Sequence, residues 1–340
     1  MRRGERSAAR RRRPTGRGHP KPGHGGPLPG VTIHLLLVER VVEHWRGQPG
    51  NAPFSPTDPV GLNAFRQGAF GPDLGYLPGG YRPLSDLAHC LRAGDLARCL
   101  LSTARTPLER GFACGWAAHL LADVSIHPLI GHAVGELVHG DRSRFVDGDS
   151  DPAAHVRVES GLDAAYARHH AELRALPRGD VFDELSIGFL HAAYRAVYGP
   201  SGAVDRGTLL RSHRTAVRRA GQGLDLAAMV GKRLPRACGP PPSRRFLDTV
   251  GGLCGMLGRR SRAFAYLVPS PPSTWLLQAV EDIVRAFVPT FLKALEGRLA
   301  ELGNPNLDTG RPEEENALHG GYVRACGFLG GTYPRGALHP

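Results

Sequence analysis

Three residues of metal-ligand type stand four apart inside one apolar run, and that run constrains what the rest of the chain can fold into. Gly111 to Ile130 reads GFACGWAAHLLADVSIHPLI, with His119, Asp123 and His127 at intervals of four. Residues four apart on an α-helix share a face, about 5–6 Å apart at Cβ. The spacing predicts a stripe of imidazole, carboxylate and imidazole along an otherwise buried helix. Pro128 disfavours the helical conformation at the residue before it, which places His127 at the last turn of that helix or just beyond. A buried carboxylate between two imidazoles is costly unless something compensates. A divalent cation compensates. A surface face or a closed polar network would also produce such a stripe, but the flanking LL, AD and VSI favour the cation.

Five further residues extend the donor set. His34 lies in the first turn of VTIHLLLVERVVEHW (Val31 to Trp45), a run with apolar residues at helical spacing and Thr32 as its N-cap. Asp73 sits at a turn in GPDLGY, with Pro72 fixing the chain ahead of it. His89 falls in the first turn of a helix read over Ser85 to Leu101. His155 and Glu159 are again four apart, on the helix PAAHVRVESGLDAAYARHHAEL, which Asp151 and Pro152 open as N-cap and N1. The nearby DGDSD is no EF-hand loop: Pro152 replaces the turn glycine and Val158 the bidentate Glu. Eight donors (His34, Asp73, His89, His119, Asp123, His127, His155 and Glu159) are too many for one tetrahedral zinc. They suit two or three ions with a carboxylate bridge. Divalent ions about 3.5–4 Å apart activate water, hold phosphoryl oxygens and stabilise a leaving oxygen, which is phosphodiester chemistry.

The fold class is all-α. Helical periodicity recurs over Leu62–Phe70, Val181–Tyr198, Val204–Met229, Arg244–Leu257 and Ser273–Leu302, and Thr106-Pro107 is a helix start. No run of alternating β-branched residues stands out. Residues 31–180 read as one helical domain and 181–303 as further helices packing on it or extending it. Residues 304–340 read as a Gly-rich tail.

Charge and cysteine usage narrow the partners. The formal net charge is +12, but much of it sits in residues 1–30, a Pro/Gly-rich basic segment too poor in apolar residues to fold. That segment reads as a disordered tail with weak affinity for polyanions. The six cysteines are scattered, with no C-x-x-C pair, so free thiols are expected rather than a disulfide framework. No secretory signal or membrane-spanning run is visible, so the expected location is the cytoplasm, with peripheral contact to an anionic membrane through basic runs such as RSHRTAVRRAG and GRRSRA.

HLLADVSIHP, followed by HVRVE and preceded by GPDLGY and SDLAHC, resembles the bacterial zinc-dependent phospholipase C family and is more distantly similar to the P1-type single-strand nucleases. The resemblance covers about residues 31–165. It implies a compact all-α protein with a zinc cluster at the base of a cleft and a phospholipid or other phosphodiester as substrate. It also implies roles. Asp123 would bridge two metals, and His155 with Glu159 would hold another. Asp73 would serve as a metal-linked general base, with His34, His89, His119 and His127 completing the ligand set. Two departures are plain. The secreted enzymes use an N-terminal tryptophan as a ligand, whereas here an Arg-rich segment precedes His34. The loops between His89 and His119, and between His127 and His155, differ in length. A nuclease of the same architecture is the alternative enzyme, disfavoured by an aromatic content of 7%. A metal-stabilised binding module with a structural cluster is the non-enzymatic alternative.

Overall fold

The helix that carries the central stripe, α5, spans Pro107–His139 and is the longest element of the molecule as described. The structure, a computed structural model, describes residues 30–175, 179–200, 204–232 and 269–330. Around α5 stand α1 (Val31–Gly47), α2 (Pro59–Gly68), α3 (Pro83–Cys90), α4 (Ala93–Thr103), α6 (Pro152–His169), α7 (Gly188–Tyr198), α8 (Arg206–Gly231), α9 (Thr274–Leu295) and α10 (Gly320–Phe328). No strand occurs among the described residues; an isolated bridge pairs Pro305 with Pro312. The all-α expectation is met. Helices α1, α2, α4, α6 and α9 all pack on α5, α8 packs on α6, and α10 packs on α3. Their apolar faces merge into one core that runs from Val31 to Leu329. None of the described helices is long and apolar enough to cross a membrane.

Local chemistry explains the helix ends. Thr106 and Glu109 form a reciprocal capping box at the start of α5, with Pro107 in the first turn, and Gly140 ends the helix at φ 67°. Asp151 caps α6 through Ala154 N–H, as its sequence signature predicts. Asp58 caps α2, which therefore begins at Pro59 rather than Leu62. Helix α1 differs from expectation. It starts at Val31, so Thr32 lies inside its first turn and does not cap it. The acceptor comes instead from α6: Asp163 Oδ1 accepts Thr32 N–H at 3.1 Å.

Three expectations are corrected. Helix α5 does not stop at Pro128 but continues eleven residues further, to His139. Proline removes one backbone hydrogen bond and crowds the carbonyl four residues earlier, here that of Val124. Gly310 packs there: a Cβ on it would lie 2.7 Å from Pro128 Cγ and 2.9 Å from Val124 O. The helix expected over Ser85 to Leu101 is two helices, broken where Leu91 is extended and Arg92 takes a left-handed conformation. Glu313 accepts the Arg92 N–H at 2.6 Å, so a contact 221 residues away accompanies the break. The segment after 303, expected to be a tail, is packed structure over 304–330: Asn306 and Leu307 are fully buried, and Leu307 N–H donates to His89 O at 2.8 Å. The expected basic tail and the expected helix over Arg244–Leu257 lie outside the described residues, as does GRRSRA.

Candidate metal centre

All eight predicted donors converge on one buried region, and none is more than 8% exposed. Helix α5 supplies His119, Asp123 and His127 from successive turns. Asp123 is the hub. Its Oδ1 lies 3.2 Å from His34 Nε2 and 3.6 Å from His127 Nε2, and its Oδ2 lies 2.9 Å from His119 Nε2 and 3.6 Å from His89 Nε2. One carboxylate is thus ringed by four imidazoles from α1, α3 and α5. The expectation that His127 sits at the last turn of the helix or just beyond it gives way here. Because α5 runs through Pro128, His127 keeps its register with Asp123.

Beyond His127 the set continues into α6. Glu159 Oε1 is 3.3 Å from His127 Nε2 and 3.2 Å from His155 Nε2. On the other side Asp73 Oδ1 is 3.2 Å from His89 Nε2. The donors fall into three groups: His34 with Asp73 and His119; His89 with His119 and Asp123, which shares His119 with the first; and His127 with His155 and Glu159, which shares no residue with either. Each group has one ligand atom per residue within 4.8 Å of the others. No such group among the described residues includes His44, His132, His139, His169, His170, His191 or His213.

Backbone acceptors set the orientation of two rings. His119 Nδ1 donates to Ala69 O at 2.9 Å and His89 Nδ1 to Ser85 O at 3.0 Å. A carbonyl only accepts, so both rings carry the proton on Nδ1 and turn Nε2 to the centre. Ser85, which sequence reasoning missed, also fixes the turn that carries Asp73. Its hydroxyl donates to Pro72 O at 2.5 Å and accepts Gly75 N–H at 2.7 Å.

A metal fits these residues on a direct test. His119 Nε2, Asp123 Oδ2 and Asp73 Oδ2 are buried without a hydrogen-bond partner. His119 Nε2 and Asp123 Oδ2 are close, but their alignment is not that of a hydrogen bond. Each buried polar atom left unsatisfied costs about 1–3 kcal/mol. Several orphans aimed at one point call for a cation, and nitrogen and carboxylate donors suit zinc. Without one, protons substitute. Burial opposes charge on His89 and His127, but the Asp73 carboxylate pushes His89 up to about 9. Asp123 and Glu159 together push His127 up to about 10. Against its own burial, Glu159 is held down at about 2 by His155 and His127. Burial and the neighbouring His119 hold His34 low.

Neighbouring side chains have partners of their own. Asp163 caps α1 and, mainly through burial and then through the charge of Glu159, is pushed up to about 8. Glu136 accepts the Trp275 indole N–H at 2.7 Å. Phe65 and Trp116 are core residues. Tyr76 lies beside His89, ring centroids 4.9 Å apart. Asp308 went unrecognised, yet its Oδ1 is 4.0 Å from His127 Nδ1. The only signal in the sequence was the turn-rich NPNLDTG that contains it.

A narrow recess with a free volume of about 10 Å³ reaches the centre, lined by Gly30, Ile33, His34, Asp123, Ile126, His127, Ile130, Glu159 and Leu162. Its walls are aliphatic. A larger groove at Asp180, Arg214, Arg218 and Gln222 holds none of the eight donors. Residues 33–198 match the family model described as zinc dependent phospholipase C, a span that contains all eight. No curated protein and no solved structure matches the chain.

Proposed function

Residues 33–198 belong to the zinc-dependent phospholipase C family, and from that premise we propose that the chain is a metal-dependent phosphoric diester hydrolase acting on phospholipids. The observation that carries the reading is the set of buried, unpartnered donor atoms gathered around Asp123. Two or three zinc ions held by the eight donors would supply Lewis acidity, activating water and neutralising charge on the phosphoryl and departing oxygens.

The chain's own residues have separable work. Asp123, with imidazoles on both oxygens, holds the cluster together. His155 and Glu159 would hold a further ion, and Ala69 O and Ser85 O fix the His119 and His89 rings. Asp73 is different. Its Oδ1 is engaged by His89, while its Oδ2 is buried and unpartnered. That oxygen takes the proton of the attacking water, the role of a general base. Ile33, Ile126, Ile130 and Leu162 give the recess an aliphatic lining, the character a lipid would meet once the recess, now of about 10 Å³, opens to admit it. They offer no aromatic face on which a nucleobase would stack, which supports ranking the nuclease reading second.

Asp73→Asn should retain the fold and most of the metal but lose a factor on the order of 10²–10⁴ in turnover, the usual worth of a general base. Asp123→Asn should lose metal and activity together. Metal analysis beside a phosphodiester assay separates the two. Hydrolysis by Asp73→Asn at the wild-type rate would refute the general-base role. The small recess and the burial of every donor favour one further reading, a cluster that only stabilises the fold. Wild-type protein with a full metal complement that cleaves neither phospholipid nor nucleic acid would put that reading first.

A further inference from the structure

A second donor set lies outside the matched family span in part and outside the eight donors altogether. Cys90 at the end of α3, Asp308 in the turn after Pro305 and His319 at the start of α10 each offer one ligand atom within 4.8 Å of the other two. The Cys90 side chain is fully buried and His319 is 8% exposed. His319 Nδ1 is 3.9 Å from Cys90 Sγ. His319 Nε2 lies 3.5 Å from Asp308 Oδ2 and 3.9 Å from Asp147 Oδ1, yet it has no hydrogen-bond partner. An imidazole nitrogen so buried, facing carboxylates it does not bond, is costly unless a cation lies between them.

The backbone is shaped to bring these groups together. A Cβ on Gly321 would fall 2.5 Å from Cys90 Sγ and 3.1 Å from His319 Cε1, so only glycine lets α10 come this close to α3. The Asp308 turn is held rigid. Asp308 N–H donates to Asn306 Oδ1 at 2.9 Å, and Thr309 Oγ1 bonds Asn316 Oδ1 at 3.0 Å.

We propose that Cys90, Asp308 and His319 bind a divalent transition metal of zinc type, separate from the ions of the main centre. A thiolate, an imidazole and a carboxylate together select zinc or cobalt over magnesium or calcium. Asp147, whose Oδ1 is 3.9 Å from His319 Nε2, can complete the shell, or water can. Cys90 gives up its thiol proton to solvent as it ligates. The ion fastens the 304–328 segment to α3, next to His89. Asp308 faces both sites, with Oδ2 toward His319 and Oδ1 toward His127. The proposal does not depend on the hydrolase reading.

Cobalt(II) substitution tests it, because the eight donors of the main centre contain no sulfur. Full-length protein stripped of metal and saturated with cobalt should show a thiolate-to-cobalt charge-transfer band in the near ultraviolet. Cys90→Ser should abolish that band and lower the bound cobalt by one equivalent per chain, while the remaining cobalt stays with the main centre. His319→Asn should remove the same equivalent with Cys90 intact. Absence of the band in saturated wild type overturns the site, a result that needs no variant. A band that survives Cys90→Ser, or one unchanged in His319→Asn, also overturns it by assigning the sulfur elsewhere.

Discussion

His213 shows what a single buried imidazole does when no metal or carboxylate faces it. It is fully buried on α8, between Phe112 and Phe182 at ring-centroid distances of 6.1 and 4.9 Å, with neither nitrogen hydrogen-bonded. Burial, and then the charge of Arg214, drives its pKa down to about 3. In the unfolded chain it titrates near 6.5, so between these values the unfolded state holds the extra proton. The neutral ring's contribution is therefore whole above about pH 6.5 and is lost as pH falls toward 3. At about 1.36 kcal/mol per pH unit once the unfolded ring is fully protonated, acidifying from pH 6.5 to 4.5 costs roughly 2.3 kcal/mol. His213→Leu should flatten the acid limb of a melting-temperature profile; a variant with the wild-type acid limb would refute this. The main donors were legible because spacing betrays them: H-x-x-x-D-x-x-x-H and H-x-x-x-E place ligand types on one helix face. Asp308 and His319 have no such period. They become neighbours of His127 and Cys90 only through the path of the chain, which residue spacing does not record.

The contact between α2 and α5 is made by backbone rather than side chains. A Cβ on Gly68 would lie 2.2 Å from Phe112 O, and one on Gly115 would lie 2.1 Å from Phe65 O. His119 stands one turn beyond Gly115, and the Ala69 carbonyl that orients its ring stands just after Gly68. Gly115→Ala should push the helices apart and cost about 1–3 kcal/mol, as overpacking does. It should also weaken metal retention, because the ring and its carbonyl separate together. Thermal melting with metal analysis checks both, and an unaltered melting temperature would show that the helices yield without cost. Periodicity located most of these helices, since an apolar face has to be buried whichever way the chain turns. It misplaced the interruptions. Pro128 reads as a stop, yet Gly310 packs over it and α5 continues. Leu91 and Arg92 read as helix, yet Glu313 engages the Arg92 N–H at the break.

Donors drawn from α1 to α6 would make a bound metal part of the tertiary structure. Purified protein should carry about two or more zinc-type ions per chain, and strong chelation should lower its melting temperature, because ions bound only by the folded state add their binding free energy to it. Calorimetry before and after chelation is the measurement; a metal-free protein with an unchanged melt would contradict the whole cluster. The later third of the chain was the least legible part of the molecule. Its glycines suggested a tail, whereas those at 310 and 321 are points of close backbone approach. The bond from Leu307 N–H to His89 O joins a ligand-bearing helix to a segment made more than two hundred residues later. On the ribosome, the histidines and carboxylates are synthesised well before the turn that covers them. An ion held there would therefore be captured most easily during translation, and a finished chain would exchange it with the surroundings far more slowly than a nascent one acquires it.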